Sequence, residues 1–195
     1  MEKINQYSDT DIYLLDQIFK NRFQKDDIIL DAGCGSGRNL TWFVNNDITI
    51  HACDSNIDAI QMAQERLGLS AEFFKQSALE DLNYPDEMFD GIICNAVLHF
   101  AKSTDHFSAM FTELVRVLKP GGILFIRMTS TFGLPNNYIP KSEGRYLLQD
   151  GSERFLLTKT LLEDTLSKHQ LTKIEPVKSV LFEELRSMTT LVLRK

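Results

Sequence analysis

The stretch Ile28-Ile29-Leu30-Asp31-Ala32-Gly33-Cys34-Gly35-Ser36-Gly37-Arg38-Asn39-Leu40 constrains this chain more than any other. An apolar run of strand character breaks into glycines at alternate positions, and a helical pattern follows. Gly33, Gly35 and Gly37 carry no Cβ, so the backbone can turn tightly there and approach a ligand closely. Strand, glycine turn and helix in that order outline a nucleotide-type cofactor site at the first crossover of a parallel α/β unit. The spacing is GxGxG. A dinucleotide fingerprint reads GxGxxG, where the additional residue helps a helix N-terminus receive a pyrophosphate. Asp31 before the loop would repel phosphate and suit a cationic ligand instead.

The remaining pattern extends the same architecture. Ile12, Leu15, Ile18, Phe19 and Phe23 recur at helical spacing and predict an amphipathic helix over 9–23, capped by Ser8 or Asp9, within an N-terminal helical segment of residues 1–25. Strands are expected at 27–32, 48–53, 71–75, 89–94 and 122–128, and helices at 37–45, 56–67, 104–118 and 158–169. This alternation signals an α/β fold: a Rossmann-like, seven-stranded, mostly parallel sheet with helices on both faces. Two last strands, about 172–182 and 188–194, are expected as an antiparallel C-terminal edge hairpin. Between 129 and 155 regularity lapses, with Gly133, Pro135, Asn136, Asn137, Pro140 and Gly144 marking a long loop. A loop of that length in a compact domain is usually functional, and a substrate or lid role is expected of it.

Length and charge bound the function. The 195 residues suit one domain, 1–195, able to bury roughly 70% of its unfolded surface without metal or disulfide. Cys34, Cys53 and Cys94 form an odd set without CxxC spacing, so neither a disulfide framework nor a metal site is expected. No apolar run approaches the roughly 20 residues that span a bilayer, and the polar start reads as cytoplasmic. The net charge of −6 supplies no basic field for nucleic acid. Residues 1–118 hold 9 Lys or Arg against 19 Asp or Glu, whereas 119–195 hold 12 against 8. The basic residues of the second part are scattered, so an anionic small substrate and a chance distribution both fit.

The glycine loop with its preceding acid resembles motif I of the class I S-adenosylmethionine (SAM) dependent methyltransferases. Glu113-Leu114-Val115-Arg116-Val117-Leu118-Lys119-Pro120-Gly121-Gly122 is similar to the "RVLKPGG" helix and turn of the same superfamily. The likeness covers roughly residues 28–128. Gly37-Arg38-Asn39 and the closing Met188–Lys195 are further similar to its tellurite-resistance branch. The resemblance implies SAM as cofactor, S-adenosylhomocysteine as product, and a small-molecule methyl acceptor.

Candidate site residues follow from the motifs and this resemblance. Gly33, Cys34, Gly35 and Gly37 would admit the cofactor, and Asp31 would orient the loop and favour its positive end. Asp54, 17 positions after Gly37 at the end of the second strand, is placed to accept hydrogen bonds from ribose hydroxyls, with Ser55 beside it. Arg38 would hold a carboxylate of the cofactor or of a substrate. The stretch from Gln76 to Asp90 is similar to the family segment in which an acid holds the adenine amino group. Ala78 stands at that acid's position, so Ser77 and the backbone of Ala78 and Leu79 become the candidates. After the fourth strand, Asn95 would pass beneath the methionine end and face the substrate. Asn95-Ala96-Val97-Leu98 lacks the prolines of amino-methylating DNA enzymes, and Cys94 is not preceded by the proline of cytosine C5 enzymes. His99 is the candidate general base, because an unperturbed imidazole titrates near neutrality. Phe132, Tyr138, Arg145, Tyr146, Arg154 and Phe155 would close over a small, partly anionic acceptor.

Two other readings remain open on sequence. A non-catalytic SAM-binding module would also show the loop and Asp54. An NAD(P)-dependent oxidoreductase would share the first strand and distant acid, but GxGxxG and a Tyr-x-x-x-Lys pair are missing.

Overall fold

The computed structural model describes residues 6–136 and 138–195; residues 1–5 and the loop marker Asn137 lie outside them. The strands that build the frame are β1 (Ile28–Ala32), β2 (Thr49–Asp54), β3 (Phe74–Gln76), β4 (Phe89–Asn95) and β5 (Leu118–Ser130). With β9 (Thr172–Lys173), β10 (Lys178–Phe182) and β11 (Arg186–Arg194) they form one sheet in the order β10-β11-β5-β4-β1-β2-β3, β9 also pairing with β11. Pairs among β1 to β5 are parallel, and β11 runs antiparallel to β5 and β10. The expected C-terminal hairpin is present. Its first strand is split into β9 and β10 on the same side of β11, with Glu175 and Pro176 in the break, where proline cannot donate to the ladder.

Alternating side chains give the sheet two apolar faces, as expected of a sheet buried on both sides. Leu14 and Ile18 of α1 (Ile12–Phe19), Phe43 of α2 (Thr41–Asn45), and Ile60 and Ala63 of α3 (Ile57–Leu67) share one core with Ile29, Ile50 and Ile93. Phe107, Phe111 and Leu114 of α4 (Thr104–Val117) and Leu162 of α5 (Lys159–Lys168) share the other with Leu30, Ile92 and Leu124.

Several local expectations are corrected. The first helix is shorter than 9–23 and is capped by Asp11, whose carboxylate accepts from the Tyr13 amide at 2.9 Å. Ile18 is buried as expected, but Ile12 and Phe19 are exposed, and Leu14 and Gln17 join Ile18 on the buried face. Residues 37–40 form turns rather than the start of a helix, because Gly37 at φ +72° cannot continue into right-handed helix. Residues 71–73 form a 3-10 turn before β3. The turn at Lys119-Pro120-Gly121-Gly122 is a bulge within β5, tied down by the C-terminus: the Gly121 amide donates to the Lys195 carbonyl at 2.7 Å.

The segment 129–155 is not a structureless loop. It forms a small antiparallel sheet of β6 (Ile139–Pro140), β7 (Arg145–Leu147) and β8 (Glu153–Phe155), around a satellite core of Leu134, Leu148 and Leu156. Phe155 stacks on Phe107 with centroids 5.1 Å apart, and Leu157 bridges to Ser130 at the end of β5. The small sheet is thereby docked on the carboxyl edge of the large one.

Candidate functional site

At the carboxyl ends of β1, β2 and β4 lies a cavity of about 660 Å³, within the range of small-ligand pockets. Its wall includes Gly33, Cys34, Gly35, Arg38, Asp54, Ser55, Ala78, Leu79 and Asn95, all expected from sequence. The glycine loop owes its shape to three positive φ values and to the end of β2, since the Gly33 and Cys34 amides both donate to the Cys53 carbonyl. A Cβ on Gly33 would stand 2.4 Å from Cγ2 of Val97, whereas one on Gly35 would meet no protein atom within 4 Å. Gly33 is therefore required by packing, and Gly35 keeps an open face free. Asp54 latches the loop: its Oδ2 accepts from the Gly35 amide at 2.9 Å and its Oδ1 from the Asn56 amide at 2.9 Å.

Four expected residues do not line this cavity. Gly37 packs against α3 instead, with an added Cβ only 3.1 Å from Ala63 and Leu67; its role is close helix packing. Ser77 spends its hydroxyl inside its own loop, donating toward the Asp81 carbonyl at 2.7 Å. Asp31 sits behind the loop, 1% exposed. His99 is not in the wall; it lies in the 3-10 turn Leu98–Phe100 after β4, of which Phe100 lines the cavity.

The electrostatics are set by burial. Asp31 is pushed up to about 7, first by desolvation and further by the Asp54 charge, with Arg38 opposing. Neither of its carboxyl oxygens has a partner among the described residues, and neither does either amide atom of Asn95. His99 is pushed down to about 4 by burial and by Arg154 and Arg186, so its imidazole is neutral at pH 7. That argues against the general-base role expected of it, since the imidazole neither lines the cavity nor titrates near neutrality. The Cys34 and Cys94 thiols are held far above their ordinary value by burial, and Cys53 is raised to about 12; none is a reactive thiolate.

Other wall residues were not anticipated. Glu80 lies two positions beyond Ala78 and brings to this wall the carboxylate that Ala78 lacks. Its Oε1 is 3.2 Å from Nε2 of His106, whose Nδ1 accepts from the Lys102 amide at 3.0 Å. Lys102, His106 and Met110 recur at four-residue spacing across the start of α4, a signal readable in sequence only once that helix is known to abut the cofactor loop. Asn39 joins the wall and receives the Asp11 amide on Oδ1, while Arg38 donates to the Asp9 carbonyl at 2.6 Å. The N-terminal segment is strapped to the glycine loop by these bonds. Ala96, at φ +63°, holds a left-handed conformation rare for alanine and turns the chain from β4 along the wall.

A glycine-built backbone turn, a carboxylate at the second strand end and a cavity at the switch between β1 and β4 define a nucleoside-cofactor domain of Rossmann type. Residues 30–126 match the family described as methyltransferase domain. The chain is 31% identical over 96 residues to the fatty-acid O-methyltransferase of Mycolicibacterium smegmatis, covering 48% of this chain and 34% of that protein. It is 34% identical over 99 residues to the tRNA (carboxymethyluridine(34)-5-O)-methyltransferase of Arabidopsis thaliana, covering 51% of this chain and 23% of that protein. Its fold matches the solved structure of a SAM-dependent methyltransferase from Methanosarcina mazei with a TM-score of 0.76 and 24% identity, over 91% of this chain and 96% of that one. The chain belongs to the class I SAM-dependent methyltransferase superfamily. It spans less than half the length of the curated relatives it matches.

The residues present fit SAM. An unpartnered carboxyl and an unpartnered amide gather at the end of β1 and β4, where a ligand bearing an ammonium and a sulfonium would be matched in charge. Gly35 leaves backbone open to it.

Proposed function

We propose that this protein transfers a methyl group from SAM to a small-molecule acceptor. The observation that carries the reading is the gathering on one cavity of the Gly33–Gly35 backbone, the Asp54 carboxylate and the unpartnered Asn95 amide, with the small sheet docked beside it. Bound SAM supplies a methyl already activated by a sulfonium. What the chain adds is position and exclusion of water, which can contribute on the order of 7 kcal/mol without a dedicated base. In this reading Asp54 takes the ribose hydroxyls, Glu80 with the Ala78–Leu79 backbone takes the adenine edge, and Asn95 fixes the methionyl end. The buried Asp31 carboxyl, held toward its neutral form in the ligand-free protein, would ionise beside a cationic group and so favour it.

A small acceptor is supported by the docking of β8 on the turn Leu98–Phe100, which covers the edge next to the cavity. The net charge of −6 also gives a polyanion no attraction. Methyl-labelled SAM incubated with a metabolite extract and, separately, with bulk tRNA tests this. Label in the low-mass fraction is expected, and label confined to RNA overturns the small-molecule reading. Calorimetry adds the cofactor arm: tight NAD binding without a SAM signal would overturn methyl transfer itself.

A further inference from the structure

The carboxyl edge of the sheet carries a second polar cluster that the cofactor cavity does not use. β11 runs antiparallel to β5, so its first residue, Arg186, lies where β5 ends; Ser187 pairs with Ser130. β8 returns to the same edge and sets the Arg154 guanidinium over the Phe100 ring, 5.1 Å from its centroid. His99 packs edge-on against the same Phe100, with ring centroids 4.5 Å apart. It is 7% exposed, and its Nδ1 has no partner among the described residues. Asp150, in the turn between β7 and β8, stands 3.6 Å from Nε of Arg186.

We propose that His99, Arg154 and Arg186 form the acceptor subsite of this enzyme, and that it takes a small carboxylate attached to a flat apolar body. The inference rests on the methyltransferase reading above. Two guanidinium groups against the single carboxylate of Asp150 leave one net positive charge, which a monoanion balances. Glu153 does not cancel it, because its carboxylate is 3.2 Å from Arg145. Among the described residues Arg154 donates to the Glu153 backbone carbonyl and rests on Phe100, and its other donors have no hydrogen-bond partner there. A planar guanidinium fork matches a carboxylate in two parallel hydrogen bonds, and Phe100 offers an aromatic face beside it. The buried Nδ1 of His99 is a polar atom that has lost its hydration and gains when a ligand atom bonds to it. Asp150 lies in the turn that leads into β8, so its pairing with Arg186 brings the start of β11 to the strand that carries Arg154, and Phe100 joins Arg154 to His99. Phe100 also lines the cofactor cavity, so a ligand on this cluster abuts the cofactor.

The test uses the protein loaded with S-adenosylhomocysteine and three probes: benzoate, its neutral isostere benzamide, and inorganic phosphate. Calorimetry is expected to show benzoate binding in the millimolar range or tighter and at least tenfold better than benzamide. Arg154→Gln and Arg186→Gln should each weaken benzoate tenfold or more while leaving S-adenosylhomocysteine affinity unchanged, and Arg154→Lys should recover part of the loss. In proton NMR at pH 7 the His99 imidazole resonances should shift as benzoate is added, since the anion would sit against the ring. No benzoate binding at millimolar concentration, equal affinity for benzamide, phosphate binding as tight as benzoate, unaltered variants or an unmoved His99 would each overturn the subsite. Failure of the wild-type protein to bind S-adenosylhomocysteine would overturn the cofactor reading instead, which keeps the two claims separable.

Discussion

The two sides of the carboxyl edge are built on opposite plans. On the cofactor side the wall starts from the backbone of residues 33–39, whose shape follows from glycine torsions and one latch, Asp54 to the Gly35 amide, and Glu80, Lys102 and His106 complete it. On the acceptor side the wall is side chain, brought from the turn after β4, from β8 and from the start of β11. Each side buries one titratable group without a partner, and the two are perturbed in opposite directions. Asp31 is raised to about 7 and His99 is lowered to about 4. Desolvation is the first cause in both, and it favours whichever form is neutral. A wall founded on backbone suits a cofactor of fixed shape, whereas a wall of long side chains on separate elements can change its specificity residue by residue.

The sharpest break in that contrast is Gly33→Ala. Its Cβ would collide with Val97 at φ +81°, and a loss of about 3 kcal/mol or more is expected in denaturant unfolding, with SAM binding abolished. Adding Val97→Ala should recover part of the stability; no recovery would show that backbone torsion, not packing, dominates the loop.

Next come the two buried groups, whose pH dependences run in opposite senses. Asp31 moves from 3.8 unfolded to about 7 folded, so the folded protein keeps a proton that the unfolded chain has released, and stability falls as pH rises from about 4 to 7. His99 moves from 6.5 to about 4, so the unfolded chain gains a proton that the folded protein refuses, and stability falls as pH drops through that window. Asp31→Asn should stabilise the ligand-free protein at pH 8 by up to about 4 kcal/mol while weakening SAM. His99→Gln should remove an acid-side loss of up to about 3 kcal/mol. Unfolding curves at pH 5 and pH 8 separate the two, and equal pH profiles for both variants would erase the contrast.

Asp54→Asn is expected to cost SAM affinity by about 1–3 kcal/mol, with benzoate binding unchanged, because the latch and the ribose acceptor are one carboxylate. The smallest effect lies in the acceptor-side hairpin. Glu183 and Glu184, at φ +47° and +57°, are the two central residues of the turn that the Leu185 amide closes on the Phe182 carbonyl, within the three-residue connection 183–185 between β10 and β11. Glu183→Asn with Glu184→Gly should raise stability by about 0.5–1 kcal/mol in thermal unfolding without altering cofactor binding.

The cofactor side was readable in advance because its information is local. Gly33, Gly35 and Asp54 lie within a strand–turn–helix–strand unit whose geometry the chain cannot much vary. Where the reading missed, a longer-range contact had decided. Gly37 looked like a third ligand glycine and proved to be a packing residue, because α3 crosses it. Ile12 and Phe19 looked like a buried face, but the helix is entered at Asp11, whose tie to Asn39 and ion pair with Arg127 set its rotation. Ala78 looked like a missing acid until the loop 78–81 placed Glu80 on the wall.

The amino-acid order alone determined a parallel α/β sheet, a SAM-type glycine turn and the acid that follows it, since periodicity and glycine torsions act over a few residues at a time. It did not determine that His99 leaves the cofactor cavity to join Arg154 and Arg186, residues more than 50 positions away. That meeting exists because β11 runs back along β5 and the small sheet folds onto the turn after β4, and such crossings depend on how whole elements pack.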